Sequence, residues 1–99
     1  MSNLVIQEKA VGETHKVTFD FANQLEVGES VSSASVSAAV YSGTDSSPAA
    51  ILSGGPSVAS PQVSQKVTGG VAGTVYVVTC LATTSAGLIL CQYGYQAVL

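Results

Sequence analysis

Short runs of alternating apolar and polar residues recur along the chain, separated by Gly, Ser, Pro and Asp. A side-chain period of two marks a strand with one buried and one wet face. In His15–Phe21, Val17, Phe19 and Phe21 alternate with Lys16, Thr18 and Asp20. In Ser32–Tyr41, Ala34, Val36, Ala38 and Val40 alternate with Ser33, Ser35 and Ser37, which predicts a half-buried strand with a hydroxyl-lined outer face. Leu4–Ile6 predicts a short first strand. Residues 22–29 (ANQLEVGE) read as a loop, and Ser42–Pro48 (SGTDSSP) as a dense turn. Ala49–Ser53 predicts a strand closed by Gly54-Gly55-Pro56. Val58–Ser60 and Val63–Thr68 are weaker strands around Pro61, which cannot donate to a ladder and so marks an edge or a loop.

Gly69–Thr74 (GGVAGT) is a turn before the two strongest strands, Val75–Thr83 and Leu88–Val98. They are joined by Thr84-Ser85-Ala86-Gly87 and form the clearest hairpin. With the turn centred between Ser85 and Ala86, Ala82 faces Ile89, Cys80 faces Cys91, Val78 faces Tyr93 and Tyr76 faces Tyr95. Cys80 and Cys91 are then a candidate cross-strand thiol pair, at Cα separations of about 4.5–5.5 Å that reach the tight end of disulfide geometry. Two small buried thiols packing as hydrophobes is the plainer reading. Tyr41, Tyr76, Tyr93 and Tyr95 read mostly as core. The opposite face of the hairpin carries Val75, Val77, Thr79 and Leu81 on one strand, with Leu88 and Leu90 on the other. Both faces are therefore mostly apolar, so one of them needs a cover from its own chain or from another subunit.

About seven strands in 99 residues fit a single all-β domain, an immunoglobulin-like antiparallel β-sandwich. Residues 1–14 are expected to be an N-terminal arm or short strand, and residues 15–99 the sandwich. Val and Thr favour strands, and the surface helix formers are scarce.

Charge changes the picture. The net charge is -3, and seven of the nine charged residues are Glu8, Lys9, Glu13, Lys16, Asp20, Glu26 and Glu29. Residues 30–99 hold only Asp45 and Lys66. Soluble surfaces usually carry far more charge, so the expectation is either a Ser/Thr/Ala surface that is polar without being charged or, the favoured reading, a surface largely covered by neighbouring subunits. Three scattered lysines and no arginine cannot neutralise a phosphate backbone, which excludes nucleic-acid recognition. No apolar run is long enough to span a bilayer, and MSNLVIQEKAVGE has neither a basic start nor a long apolar stretch. No membrane partner is expected, and synthesis is expected in a cytoplasm with both thiols reduced.

Catalytic groups do not converge. His15 is the one histidine, and no G-x-S-x-G marks a nucleophile. Glu8, Glu13, Asp20, Glu26 and Glu29 lack the spacing of a cation loop. Gly69, Gly70 and Gly73 precede a strand rather than a helix, unlike a phosphate or dinucleotide loop. Two cysteines and one histidine fall short of four zinc ligands. No enzyme activity, cofactor or metal is expected.

Four segments carry a resemblance: Phe19-Asp20-Phe21, Gly28–Val36 (GESVSSASV), Gly69–Cys80 (GGVAGTVYVVTC) and Thr83–Gly87 (TTSAG). In order and spacing over roughly residues 15–98, the chain resembles the small immunoglobulin-like fiber-tail adaptors of tailed bacteriophages. Where those proteins carry charged residues just after the hairpin turn, this chain has Leu88, Ile89 and Leu90. The resemblance implies a structural virion protein joining tail or neck to fibers or another appendage. Its expected partners are other phage tail, neck or fiber subunits, with several copies in a homo-oligomer or symmetric ring. The residues expected at the interface, from the exposed-face argument, are Val77, Thr79, Leu81, Leu88 and Leu90. A capsid decoration protein and a small adhesive or carbohydrate-binding module are the alternative readings.

Overall fold

The computed structural model describes residues 2–99, with side chains from Ile6 onward. Met1, the first residue of the expected arm, lies outside the described residues. The strands are β1 (Ser2–Val5), β2 (His15–Asp20), β3 (Val31–Ser42), β4 (Leu52–Ala59), β5 (Gln62–Val67), β6 (Val75–Thr84) and β7 (Ile89–Ala97). A 3-10 turn, Pro48–Ile51, precedes β4. One sheet runs β1-β7-β6-β3 and the other β2-β5-β4. The order β3-β6-β7 opposite β2-β5-β4 is that of an immunoglobulin-like sandwich. All pairs are antiparallel except β1, which runs parallel to β7. That parallel pair departs from the all-antiparallel expectation.

The core lies between the sheets. Val17, Phe19, Val63 and Val67 point in from the three-stranded sheet, and Tyr76, Val78, Cys80 and Ala82 from β6. Phe21 and Ile51 complete it from the connections. Each such apolar side chain contributes roughly 1.5–3 kcal/mol by leaving water.

Two sequence expectations change here. Ala49–Ile51 lie in the 3-10 turn rather than in a strand, and Gly54-Gly55-Pro56 lies inside β4 instead of closing it. β4 is an edge strand whose register breaks between Ser53 and Ser57. At an edge bulge a proline removes no ladder bond, and Gly54 supplies the positive φ of 71°.

The hairpin register also differs. Thr84 N–H donates to Leu88 O at 2.8 Å, which closes a loop of Ser85, Ala86 and Gly87. Gly87 takes φ 82°, as a three-residue hairpin loop requires of its last position. The turn is therefore centred on Ala86 rather than between Ser85 and Ala86. Cys80 faces Gln92, Leu81 faces Cys91, Ala82 faces Leu90 and Thr79 faces Tyr93. A slip of one residue moves a whole strand's side chains to the other face. Cys80 and Cys91 thus sit on opposite faces, and they are not the cross-strand thiol pair.

Beyond Leu90, the inward side of β7 consequently carries no large apolar side chain: Gln92, Gly94 and Gln96. β7 lies over the connections flanking β2, whose carbonyls need donors. Gln92 Nε2 donates to Asp20 O at 2.5 Å and to Gln24 Oε1 at 2.7 Å. Gln96 Nε2 donates to Gln7 O at 2.9 Å, and its Oε1 meets His15 Nε2 at 2.6 Å. Lys9 is buried too: Nζ donates to Ala10 O at 2.6 Å and Gly69 O at 2.7 Å. The exposed lysines are therefore Lys16 and Lys66.

Candidate interaction face

The same register turns the aromatic side of β7 outward. Across the four-stranded sheet the outer rows read Ser35–Leu81–Cys91, Ser37–Thr79–Tyr93 and Ala39–Val77–Tyr95. Thr83 and Ile89 form the next row toward the hairpin turn. Tyr41 joins at the far end, its ring centroid 4.7 Å from that of Tyr95 with the planes at 56°. Tyr93 meets Tyr95 edge-on at 5.8 Å and 84°. Offset and edge-to-face pairs of this kind add roughly 0.5–1.5 kcal/mol beyond their buried area. The three rings are thereby held as one interlocked patch.

None of the chain's nine charged residues lies in these rows. Tyr41 is 66%, Ile89 69%, Leu88 52% and Leu81 44% exposed. A neutral surface that combines aromatic, aliphatic and hydroxyl groups suits a protein partner, because desolvating it strands no charge.

One end of this face is fixed by the β2–β3 loop and the hairpin turn. Thr84 Oγ1 donates to Glu29 Oε2 at 2.6 Å and accepts from the N–H groups of Ala86 (3.2 Å) and Leu88 (3.1 Å). Ser85 N–H donates to Ser30 O at 2.8 Å, and Ser30 N–H to Ser85 Oγ at 3.0 Å. The Thr84 hydroxyl first, and the Glu26 backbone bond second, hold the Glu29 carboxyl below its ordinary range. Val27 and Leu88 stand exposed on either side.

Of the residues expected at an interface, Val77, Thr79 and Leu81 lie on this outer face, and Leu88 stands exposed at its turn end. Leu90 does not: opposite Ala82 it points inward and packs against the core. Tyr41, Tyr93, Tyr95 and Ile89 lie on the same outer face, where the sequence reading placed the tyrosines mostly in the core. The signal was present in residues 92–96, where glutamine and glycine alternate with two tyrosines. Reading the turn from Gly87 assigns that alternation to the correct face. Among the described residues no group of three His, Cys, Asp or Glu side chains is arranged to hold a metal ion.

The chain matches, over residues 9–93, the protein family described as podophage GP4 fiber-tail adaptor protein gp77. No curated protein and no solved structure matches it.

Proposed function

Because the chain belongs to the podophage GP4 fiber-tail adaptor family, we propose that it is a structural virion protein that joins the phage tail to a fiber through the outer face of its four-stranded sheet. The observation that carries this reading is the charge-free face itself. On a chain of net charge -3, rows of Ser, Thr, Val, Leu and Tyr cover three adjacent strands without a single ionised group. Leu81, Thr79, Val77 and Leu88, with Tyr41, Tyr93, Tyr95 and Ile89, are the contact residues. The partners are tail and fiber subunits of the same particle. The chain acts without catalysis or a cofactor, and it is assembled in the host cytoplasm in several symmetric copies. The low charge of residues 30–99 supports that last point, since surface buried between subunits gains nothing from ionised side chains.

The test is to assemble particles with Leu81→Lys in place of the natural chain. Leu81 is exposed, so the variant folds. It is expected to be lost from particles, or to be retained on tails that lack fibers. Fully fibered particles containing the variant at normal copy number would refute the reading.

A further inference from the structure

The two sheets end in four outer strands, and three of them carry devices that prevent pairing with another chain. β1 is four residues long. β2 carries exposed Lys16 and Asp20. β4 contains Gly54-Gly55-Pro56 and a register break. Short length, charge, proline and bulges are the usual protections of a sheet edge.

β3 has none of these along its middle. It is twelve residues long and contains no charged residue, no glycine and no proline. Its register breaks lie near its two ends, between Val31 and Ser33 and between Val40 and Ser42, which leaves Ser33–Val40 in unbroken pairing with β6. On the side away from β6, among the described residues, the one backbone group of β3 with a hydrogen-bond partner is Val31 N–H, on Ser60 Oγ. The inward stripe makes the same point. Val78 and Cys80 on β6 are fully buried, while their β3 partners Ala38 and Val36 are only partly covered. β4 and the 3-10 turn run close beside β3, but β4 pairs only with β5, so the monomer leaves the outer backbone groups of Ser33–Val40 without a ladder and Val36 and Ala38 only partly covered.

The geometry points to β3 of a second copy as the strand that completes it, paired antiparallel about a twofold axis to join two four-stranded sheets into one of eight. A twofold interface requires a surface that is its own complement. β3 meets that requirement because a neutral strand sets no like charges opposite each other. A twofold normal to the sheet keeps the outer face outward, so residues facing across the axis share parity. Centred in the unbroken segment, the axis passes through Val36 or Ser37. Either register sets Ser37 against a serine, its own counterpart or Ser35. Serine pairs hydrogen-bond across strands, and the partly covered Val36 and Ala38 gain a neighbour on their open side. The outer faces of the two copies then form one continuous neutral surface. This deepens the oligomeric part of the proposed function and rests on that reading for the several copies in one particle.

The experiment is sedimentation equilibrium on the purified full chain, with Ser37→Lys and Ser37→Glu variants. The wild-type chain is expected at twice its 9.9 kDa mass. Each variant alone is expected to be monomeric, with the thermal midpoint of the wild-type chain diluted to its monomer, because Ser37 is exposed. An equal mixture of the two is expected to recover the dimer by opposite charge. Amide exchange on the wild-type chain gives a second reading: the β3 amides that point away from β6 are protected at high concentration and exposed on dilution. A monomeric wild-type chain at every concentration, or a dimer indifferent to both substitutions, overturns the inference. A chain monomeric in solution yet present in fibered particles overturns the edge pairing alone. A dimer absent from particles overturns the adaptor reading alone.

Discussion

The phenol of Tyr76 donates a 2.7 Å hydrogen bond to the Asp45 carboxylate and accepts one of 2.8 Å from Val71 N–H. Tyr76 stands near the start of β6, Asp45 in the β3–β4 connection and Val71 in the β5–β6 connection. One buried hydroxyl therefore ties two loops to the core, in the manner of the tyrosine corner of immunoglobulin-like sandwiches. Tyr76→Phe keeps the ring and removes both bonds, leaving Val71 N–H without its acceptor. A loss of about 1–3 kcal/mol is expected in urea unfolding.

Stability is expected to fall at both ends of the pH range. Asp45 is held below the ordinary carboxyl range by the Tyr76 bond first and the Ser47 backbone bond second. Glu29 is held low chiefly by Thr84. A carboxyl whose folded pKa is depressed contributes stability above its unfolded pKa and loses it as pH falls through the folded value. On the alkaline side, burial first and then the nearby Cys91 push the Cys80 thiol up to about 11 from 9.0. Tyr76 is raised from 10.0, mainly by burial and next by its bond to Asp45. Groups raised in this way contribute fully below their unfolded pKa and lose the contribution as pH rises through the folded one. Urea midpoints should therefore decline from pH 9 upward, and Cys80→Ala should delay that decline to the range where Tyr76 titrates.

Lys16 and Lys66 face each other directly across β2 and β5, and both are exposed. Like charges in that position are destabilising, while an opposite pair contributes roughly 0.2–1 kcal/mol. Lys66→Glu is expected to raise the unfolding midpoint in low salt. The gain should shrink as added salt screens the pair.

Leu81→Lys and Leu90→Lys should separate cleanly, although the two positions look alike in the sequence. Leu81 is 44% exposed on the outer face, so its variant should unfold within about 0.5 kcal/mol of the wild type. Leu90 packs against the core beside Ala82, and a lysine there should destabilise by about 1–3 kcal/mol. Circular dichroism melts of the two variants check this directly.

Most of the sandwich was legible because its strands obey period two. Val17, Phe19 and Phe21 are buried as their alternation with Lys16, Thr18 and Asp20 predicted. The misreadings of the hairpin share one physical origin, that local pattern does not fix register. A two-residue turn and a three-residue turn differ by a single position, and that position decides whether Cys91, Tyr93 and Tyr95 look into the core or away from it. The buried glutamines were illegible for a related reason. Gln92 and Gln96 look like surface residues until the loop carbonyls of Gln7 and Asp20 are placed beside them. Lys9 is a buried cation for the same cause, caged by carbonyls that include one from Gly69, far along the chain. Contacts of that separation leave no trace in a window of neighbouring residues.

The most direct test of the adaptor reading is the number of copies of this chain per particle, counted by quantitative mass spectrometry of purified virions. A closed ring at the tail gives a small fixed number, about six or twelve. A count in the hundreds would place the chain on the capsid surface, and absence from the particles would contradict a virion role altogether.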